Sequence, residues 1–459
     1  MEARNRIILP LDVDSVAKAT ELVKQLASHV GIFKLGLEFI NTMLASVIVP
    51  EKNEDAEANL REIRELFQLL KGKVFWDGKF DDIPNTVGGA SAPVAKMGVK
   101  MFNVHASAGR ESVMKAVANK GNSLVLGVTV LTSIGETECV SIFGDKPGPK
   151  VLQFARMLAE VGADGIICSP QELELLEKQP ELAKLLKVTP GVRSPWAATG
   201  DQKRVMTPGE AIKAGANYLV IGRPITQPPA EIGGPVEAAK KIAEEINEAL
   251  RGRLADRIHD RGAIKFGAFK LKLHEKKPDA PLSPIYITLR RPPDGPLTDD
   301  DVEAIGQELF DMVKSEGMEF DLIAGIPRAG EPFAKVISRL SGRPELKLGK
   351  KVEGDRRKID SVIEGEYLPG QRVLLIDDLI TQADTKKEAI GVCEGVKLVV
   401  AGVAVLVDRE QGGSDELKEA GYNLLAVLPL SVLLDHYVGV SKITQAKRNE
   451  VMAYISANR

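Results

Sequence analysis

The chain has 459 residues, 44% hydrophobic and 27% charged, with a formal net charge of −3. At roughly 150 residues per domain this leaves room for two to four domains of ordinary globular composition. The near-neutral charge excludes the global basic field of a nucleic-acid-binding protein, while local binding of acidic metabolites stays open. Cys139, Cys168 and Cys393 are widely spaced with no CxxC pair, which excludes a disulfide framework and a thiolate zinc motif and fits a reducing cytosol. The N-terminal MEARNRIILPLD lacks the apolar core of a signal peptide, and no run of about 18 apolar residues is present, so a cytoplasmic chain without a membrane span is expected.

Up to about residue 250, short apolar runs alternate with longer amphipathic stretches. The runs are 7–11, 31–35, 74–76, 101–104, 124–128, 165–168, 187–189 and 218–221, with helix-like segments such as 16–28, 151–161 and 208–214 between them. Eight βα units in this length are the arithmetic of a (β/α)8 barrel. A doubly wound open sheet is the alternative, but no G-x-G-x-x-G follows the first strand. Residues 41–60 (NTMLASVIVPEKNEDAEANL) exceed a typical connection and read as a solvated surface insertion. DKPGPK, together with the TSIGE that precedes it, reads as a turn-rich lid near the barrel mouth.

In such a barrel the functional residues belong at the C-terminal strand ends. There the sequence places Asp12, Lys34, the stretch VFWDGKFDDIPNTV, then NVHASAG, TVLTS, TPGVR and IGRP. Asp77, Lys79 and Asp82 form D-x-K-x-x-D, and strand alternation puts Asp77 and Lys79 on one side. Two carboxylates around one ammonium are expensive to bury unless they compensate one another. Catalysis is one reason to do so and a structural ion pair at a strand end is the other. The Gly-rich turns after strands seven and eight suit a phosphate held by backbone N–H groups, with Arg223 as a guanidinium fork; a plain left-handed turn beside a surface arginine is the alternative.

Asp12 in LPLD, Lys34 in FKLG, D-x-K-x-x-D followed by IPNTV, then VHASAG, VLTS, TPGVR, GDQKR and IGRPI resemble the orotidine 5′-phosphate decarboxylase family across residues 5–250. The resemblance implies decarboxylation of orotidine 5′-monophosphate to UMP without cofactor or metal. It casts Lys79 as proton donor to C6 of the pyrimidine, flanked by Asp77 and Asp82, with Lys34 completing the charge network. It also casts Asp12 and Lys34 as ribose contacts, Ser133 as the group reaching the pyrimidine ring, and Gln202 and Arg223 as the phosphate clamp. Asp82, Ile83 and Thr86 would be contributed across a homodimer interface. Gly78 stands where the family usually has a larger apolar residue, and Asp81 where histidine is common. Related sugar-phosphate decarboxylases share D-x-K-x-x-D but use magnesium; IPNTV and GDQKR argue against them.

From 237 to 260 the chain is charged with helical period and is expected to merge the last barrel helix with a connection. GAIKFGAFKLKL, a Pro-rich stretch and SPIYITLR follow, then the strand–turn–helix patterns DLIAGIPRAG and RVLLIDDLITQADTKKEAI, a strand VAGVAVLVDRE and a helix at 414–420. Asp377 and Asp378 end an apolar strand before a helix expected to open near Thr385. Acids there suit ribose hydroxyls and the loop suits phosphate; acidic capping is the alternative.

Residues 255–455 resemble orotate phosphoribosyltransferase, a type I phosphoribosyltransferase that uses phosphoribosyl pyrophosphate with Mg2+. Lys265, Tyr286, Asp377, Asp378, Thr381, Thr385 and Arg409 fall on its orotate or phosphoribosyl positions. The phosphate loop departs from the family, reading Thr381, Gln382, Ala383, Asp384, Thr385 where the family has roughly T-x-G-T-S, so that Ala383 and Asp384 stand where glycine and threonine are usual. The basic mobile loop, here GKKVEGDRRKIDSVIEG, keeps Lys350, Lys351, Arg356, Arg357 and Lys358 but not the spacing. A working transferase in a bifunctional chain and a degraded homologue retained for dimerisation or regulatory binding both remain open. The expected architecture is α/β: a (β/α)8 TIM barrel in residues 1–250, then a type I phosphoribosyltransferase-fold, Rossmann-like domain in 251–459. The assembly is expected to be a homodimer or larger homo-oligomer.

Overall fold

The computed structural model describes residues 2–50, 55–197, 206–270, 279–353 and 356–459. The chain divides into two compact units, Ala3–Leu250 and Arg251–Arg459. In the first, β1 (Ile7–Pro10), β2 (Ile32–Gly36), β3 (Val74–Phe80), β4 (Met101–His105), β5 (Leu124–Val128), β6 (Gly165–Ile167), β7 (Leu186–Thr189) and β8 (Tyr218–Val220) form a closed parallel barrel. Each strand pairs with the next, and β8 closes on β1 through Ile7 and Ile8. Strands covered on both faces read as continuous apolar runs, which is why all eight were visible in the sequence.

Two expectations for this unit are corrected. Most of residues 41–60 is helical rather than irregular, though within it only Met43 is buried and the stretch stays at the surface. Helices Leu37–Ile48 and Asp55–Leu69 pack on one another, burying Phe39, Met43 and Leu66, and the Asn59 amide donates to the Ser46 carbonyl at 2.7 Å. Residues 51–54 of the charged run lie outside the described residues. DKPGPK is not a free lid either. Pro147 opens the helix Pro147–Glu160, because proline suits a first helical turn that needs no N–H donor, and Lys146 pairs with Glu136 at 2.8 Å.

One continuous helix, Pro235–Asp260, spans the segment expected to merge barrel helix and connection. The second unit holds a two-stranded antiparallel pair, β9 (Ile264–Phe269) and β10 (Ser283–Ile287). Its main sheet has six strands: β11 (Leu322–Gly325), β12 (Glu345–Glu353), β13 (Arg356–Glu364), β14 (Arg372–Ile380), β15 (Val399–Asp408) and β16 (Leu424–Pro429). Their order is β13-β12-β11-β14-β15-β16, parallel except for β12 against β13. The stretch expected as a mobile basic loop is therefore the β12–β13 ribbon, whose antiparallel register runs from Lys347–Glu364 to Glu353–Arg356. Among the described residues no helix is long and apolar enough to cross a membrane.

Candidate active site

β2 and β3 lie side by side, with Lys34 in register with Phe75 and Gly36 with Asp77. This brings the charged side chains at their C-terminal ends into one row. Lys34 Nζ lies 3.4 Å from Asp12 and 3.2 Å from Asp77, and Lys79 Nζ donates to Asp77 at 2.8 Å. Asp77 is only 6% exposed, so its charge depends on these partners. Lys34, Asp77 and Lys79 line a cavity of about 250 Å³ with Phe75, Thr132 and Pro190. That volume lies near the small end of sites for metabolites.

Simple alternation does not produce the Asp77–Lys79 contact. Pairing between β3 and β4 shifts between Trp76 and Phe80, and Lys79 sits in the left-handed region at φ 46°. A lysine there is strained by about 1–3 kcal/mol and needs its surroundings to hold it. Asn103 does so: its Oδ1 accepts from Lys79 N at 2.7 Å, while its amide donates to Asp77 at 2.6 Å. Asn103 is fully buried in β4 and was missed in the sequence, although a lone amide inside MFNVH marks a polar group facing the barrel interior. Asn103→Ala is expected to lower kcat for the barrel's reaction by about 10²-fold with little change in KM, since misplacing a reacting group by about 1 Å has that effect. Steady-state kinetics check it.

Gly78 is explained by the same distortion. A Cβ there would meet Trp76 Nε1 at 2.8 Å, so Trp76 fills the volume that a larger residue would take. Burial also depresses the His105 pKa below its ordinary value, leaving a neutral ring at neutral pH beside the charged row. Cys168 also lines the cavity, and burial pushes its thiol up to about 12, which makes it a poor nucleophile.

Burial likewise raises Glu172 to about 7, and its Oε2 has no partner among the described residues. A carboxyl raised in the folded state contributes stability that is full below about 4.5 and is lost as pH rises through about 7. Glu172→Gln is therefore expected to stabilise the chain by up to about 3 kcal/mol at pH 8 and to be neutral near pH 4.5. Thermal unfolding of both proteins at the two pH values tests the sign.

The remaining barrel residues are more dispersed. Asp82 is exposed, makes no ion pair with Lys79 among the described residues, and accepts from Ile83 N at 2.7 Å. Ile83 is 66% exposed and Thr86 is also at the surface. Ser133 is exposed beside cavity-lining Thr132, and Arg223 is exposed at the first residue of the short helix Arg223–Thr226. Gln202 lies outside the described residues.

In the second unit, Lys265 on β9 faces Tyr286 on β10 as a register partner. Asp377 and Asp378 are buried within β14, which continues through Leu379 and Ile380 rather than ending at the acids; Thr381 and Thr385 are half-buried, and Asp384 is exposed as the first residue of the helix Asp384–Gly395. Arg409 is 6% exposed, and its Nε and Nη2 have no partner among the described residues. Burial lowers its pKa from the ordinary value. Lys386 was also missed in the sequence; its ammonium meets Asp377 at 2.6 Å.

A closed parallel barrel carrying an alternating Asp–Lys–Asp–Lys row at its C-terminal strand ends defines a barrel enzyme that works with fixed charges. Residues 5–242 match the model of the orotidine 5′-phosphate decarboxylase / HUMPS family, and the chain belongs to that family. Residues 298–421 match the phosphoribosyl transferase domain. The orotidine 5′-phosphate decarboxylase of Syntrophomonas wolfei is 42% identical over 262 residues, covering 54% of this chain and all of the relative. That of Heliobacterium modesticaldum is 40% identical over 265 residues, covering 55% of this chain and again all of the relative. Over 99% of the chain, and 97% of the other, the fold is similar to Leishmania donovani UMP synthase, with a TM-score of 0.51 at 23% identity.

Proposed function

We propose that the barrel decarboxylates orotidine 5′-monophosphate to UMP and carbon dioxide, a step of pyrimidine nucleotide synthesis. The observation that carries this reading is the continuous row Asp12–Lys34–Asp77–Lys79, with gaps of 3.4, 3.2 and 2.8 Å, of which Lys34, Asp77 and Lys79 line the cavity. Loss of carbon dioxide leaves an electron pair at C6 of the pyrimidine. The Lys79 ammonium, fixed by Asp77 and by the Asn103-held backbone, stabilises that charge and delivers the proton. Asp77 beside the departing carboxylate raises the ground state; two such charges 4 Å apart repel by about 4 kcal/mol at an effective dielectric of 20. In this reading Lys34 and Asp12 take the ribose hydroxyls, Ser133 the ring and Arg223 the phosphate, with Gln202 assigned to the phosphate from the sequence alone; phosphate binding energy serves the transition state. No cofactor enters this scheme.

In the same reading a second copy of the chain supplies Asp82, Ile83 and Thr86 to the site, which fits their exposure. A cytoplasmic setting fits three buried free cysteines. Supplying orotidine 5′-monophosphate to the purified chain and following UMP and carbon dioxide tests the main claim; no turnover refutes it.

For the second unit, the buried Arg409 guanidinium, whose Nε and Nη2 have no partner among the described residues, favours a site for an anion such as orotate, with phosphoribosyl pyrophosphate and magnesium as co-substrates, forming orotidine 5′-monophosphate in a bifunctional chain. The Lys386–Asp377 pair favours the alternative, a transferase fold kept for regulatory binding or dimerisation. Orotate consumption with phosphoribosyl pyrophosphate and magnesium separates the two.

A further inference from the structure

We infer that Lys386 is a resident cation that closes the Asp377–Asp378 pair to a ribose diol, so that a phosphoribosyl ligand enters the second unit only against its own lysine. The inference rests on the proposed reading of this unit as a phosphoribosyl-binding fold. A diol needs carboxylate oxygens free to accept its hydroxyl protons. Here most are engaged. Asp377 Oδ2 accepts from Lys386 Nζ at 2.6 Å and its Oδ1 from Asp378 N at 2.9 Å. Asp378 Oδ1 accepts from Leu379 N at 2.8 Å. The lysine is itself anchored by a second bond to the Leu379 carbonyl at 2.7 Å, and it is 5% exposed.

The lysine reaches the acids from the helix Asp384–Gly395, so ligand loop and lock share one element. Asp384 adds to the closure. As the first residue of that helix it lends negative charge to an N-terminus where a phosphate would need positive potential. Burial together with the adjacent Asp377 raises Asp378 to about 7, so the pair carries less than two charges at neutral pH. These residues do not fit a magnesium ion at the pair, because hard cations take carboxylate oxygens that are not already neutralised by an ammonium.

The test uses the full chain and ribose 5-phosphate without metal, titrated calorimetrically. The wild type is expected to bind it at least about tenfold more weakly than Lys386→Met, which keeps the length of the side chain and removes its charge. Adding Asp378→Ala to that variant is expected to abolish the gain. If Lys386→Met does not fold, as judged by circular dichroism, Lys386→Gln, which removes the charge while keeping an N–H donor and both carboxylates, carries the same test. Decarboxylation by the barrel should stay at the wild-type rate throughout. Equal affinity in wild type and folded variant, or no binding by either, overturns the lock. Orotate titration reads Arg409 independently, so failure of the lock and failure of the phosphoribosyltransferase reading are distinguishable.

Discussion

Lys79→Ala is expected to lower kcat/KM for decarboxylation of orotidine 5′-monophosphate by at least about 10⁴-fold while leaving the barrel folded. A positioned general acid contributes about 10²–10⁴-fold, and a fixed charge at the developing anion contributes a further factor of about 10²–10³. One ammonium supplies both terms, so both vanish together. The fold survives because Asp77 keeps Lys34 at 3.2 Å and the Asn103 amide at 2.6 Å. Lys79 is also the more accessible of the two lysines, with its side chain 32% exposed against 14% for Lys34. Alanine at φ 46° keeps the backbone strain without adding a clash. Single-turnover assays with circular dichroism decide it: a variant with normal turnover removes Lys79 from the reaction, and an unfolded one shows that the pair is structural.

The same residues mark where sequence reasoning succeeds and stops. The strands were legible because burial on both faces leaves an apolar run of the right length. The charged row was legible because D-x-K is rare inside such a run. The bulge at Lys79 was not, since nothing in VFWDGKF distinguishes a left-handed lysine from an extended one. The partner that stabilises it sits 24 positions away in β4. Helices Leu37–Ile48 and Asp55–Leu69 were obscured by the charged run between them, which drew attention from Phe39, Met43, Leu66 and Leu70 at helical spacing.

Lys386 was hidden differently. Beside Lys387 it reads as part of a solvated helix start. Yet Lys386, Ala389, Ile390 and Cys393 follow the i, i+3, i+4, i+7 pattern of a buried face, and all four are buried. Periodicity therefore pointed the lysine inward, and the acids of β14 supply the reason it can go there. A motif scored on the acids and the loop alone passes over it.

Arg409→Met is expected to stabilise the second unit while removing its affinity for a carboxylate ligand. A guanidinium that is 6% exposed, with Nε and Nη2 unpartnered among the described residues, bears a desolvation penalty without the pairing that would offset it. Replacing such a charge by an apolar side chain of similar length gains about 1–4 kcal/mol, or roughly 2–4 °C in Tm per kcal/mol for a unit of this size. Most core substitutions go the other way, so the sign is diagnostic. Gln411 lies two residues on, with its Oε1 also unpartnered and its amide donating to the Asn458 carbonyl at 3.2 Å. Buried polar groups without partners call for an explanation, and a polar ligand is one. Orotate is expected to raise the Tm of the wild type and not that of Arg409→Met, which starts higher. If the variant is instead less stable and still shifts with orotate, the guanidinium is a structural group and the anion site lies elsewhere in the unit.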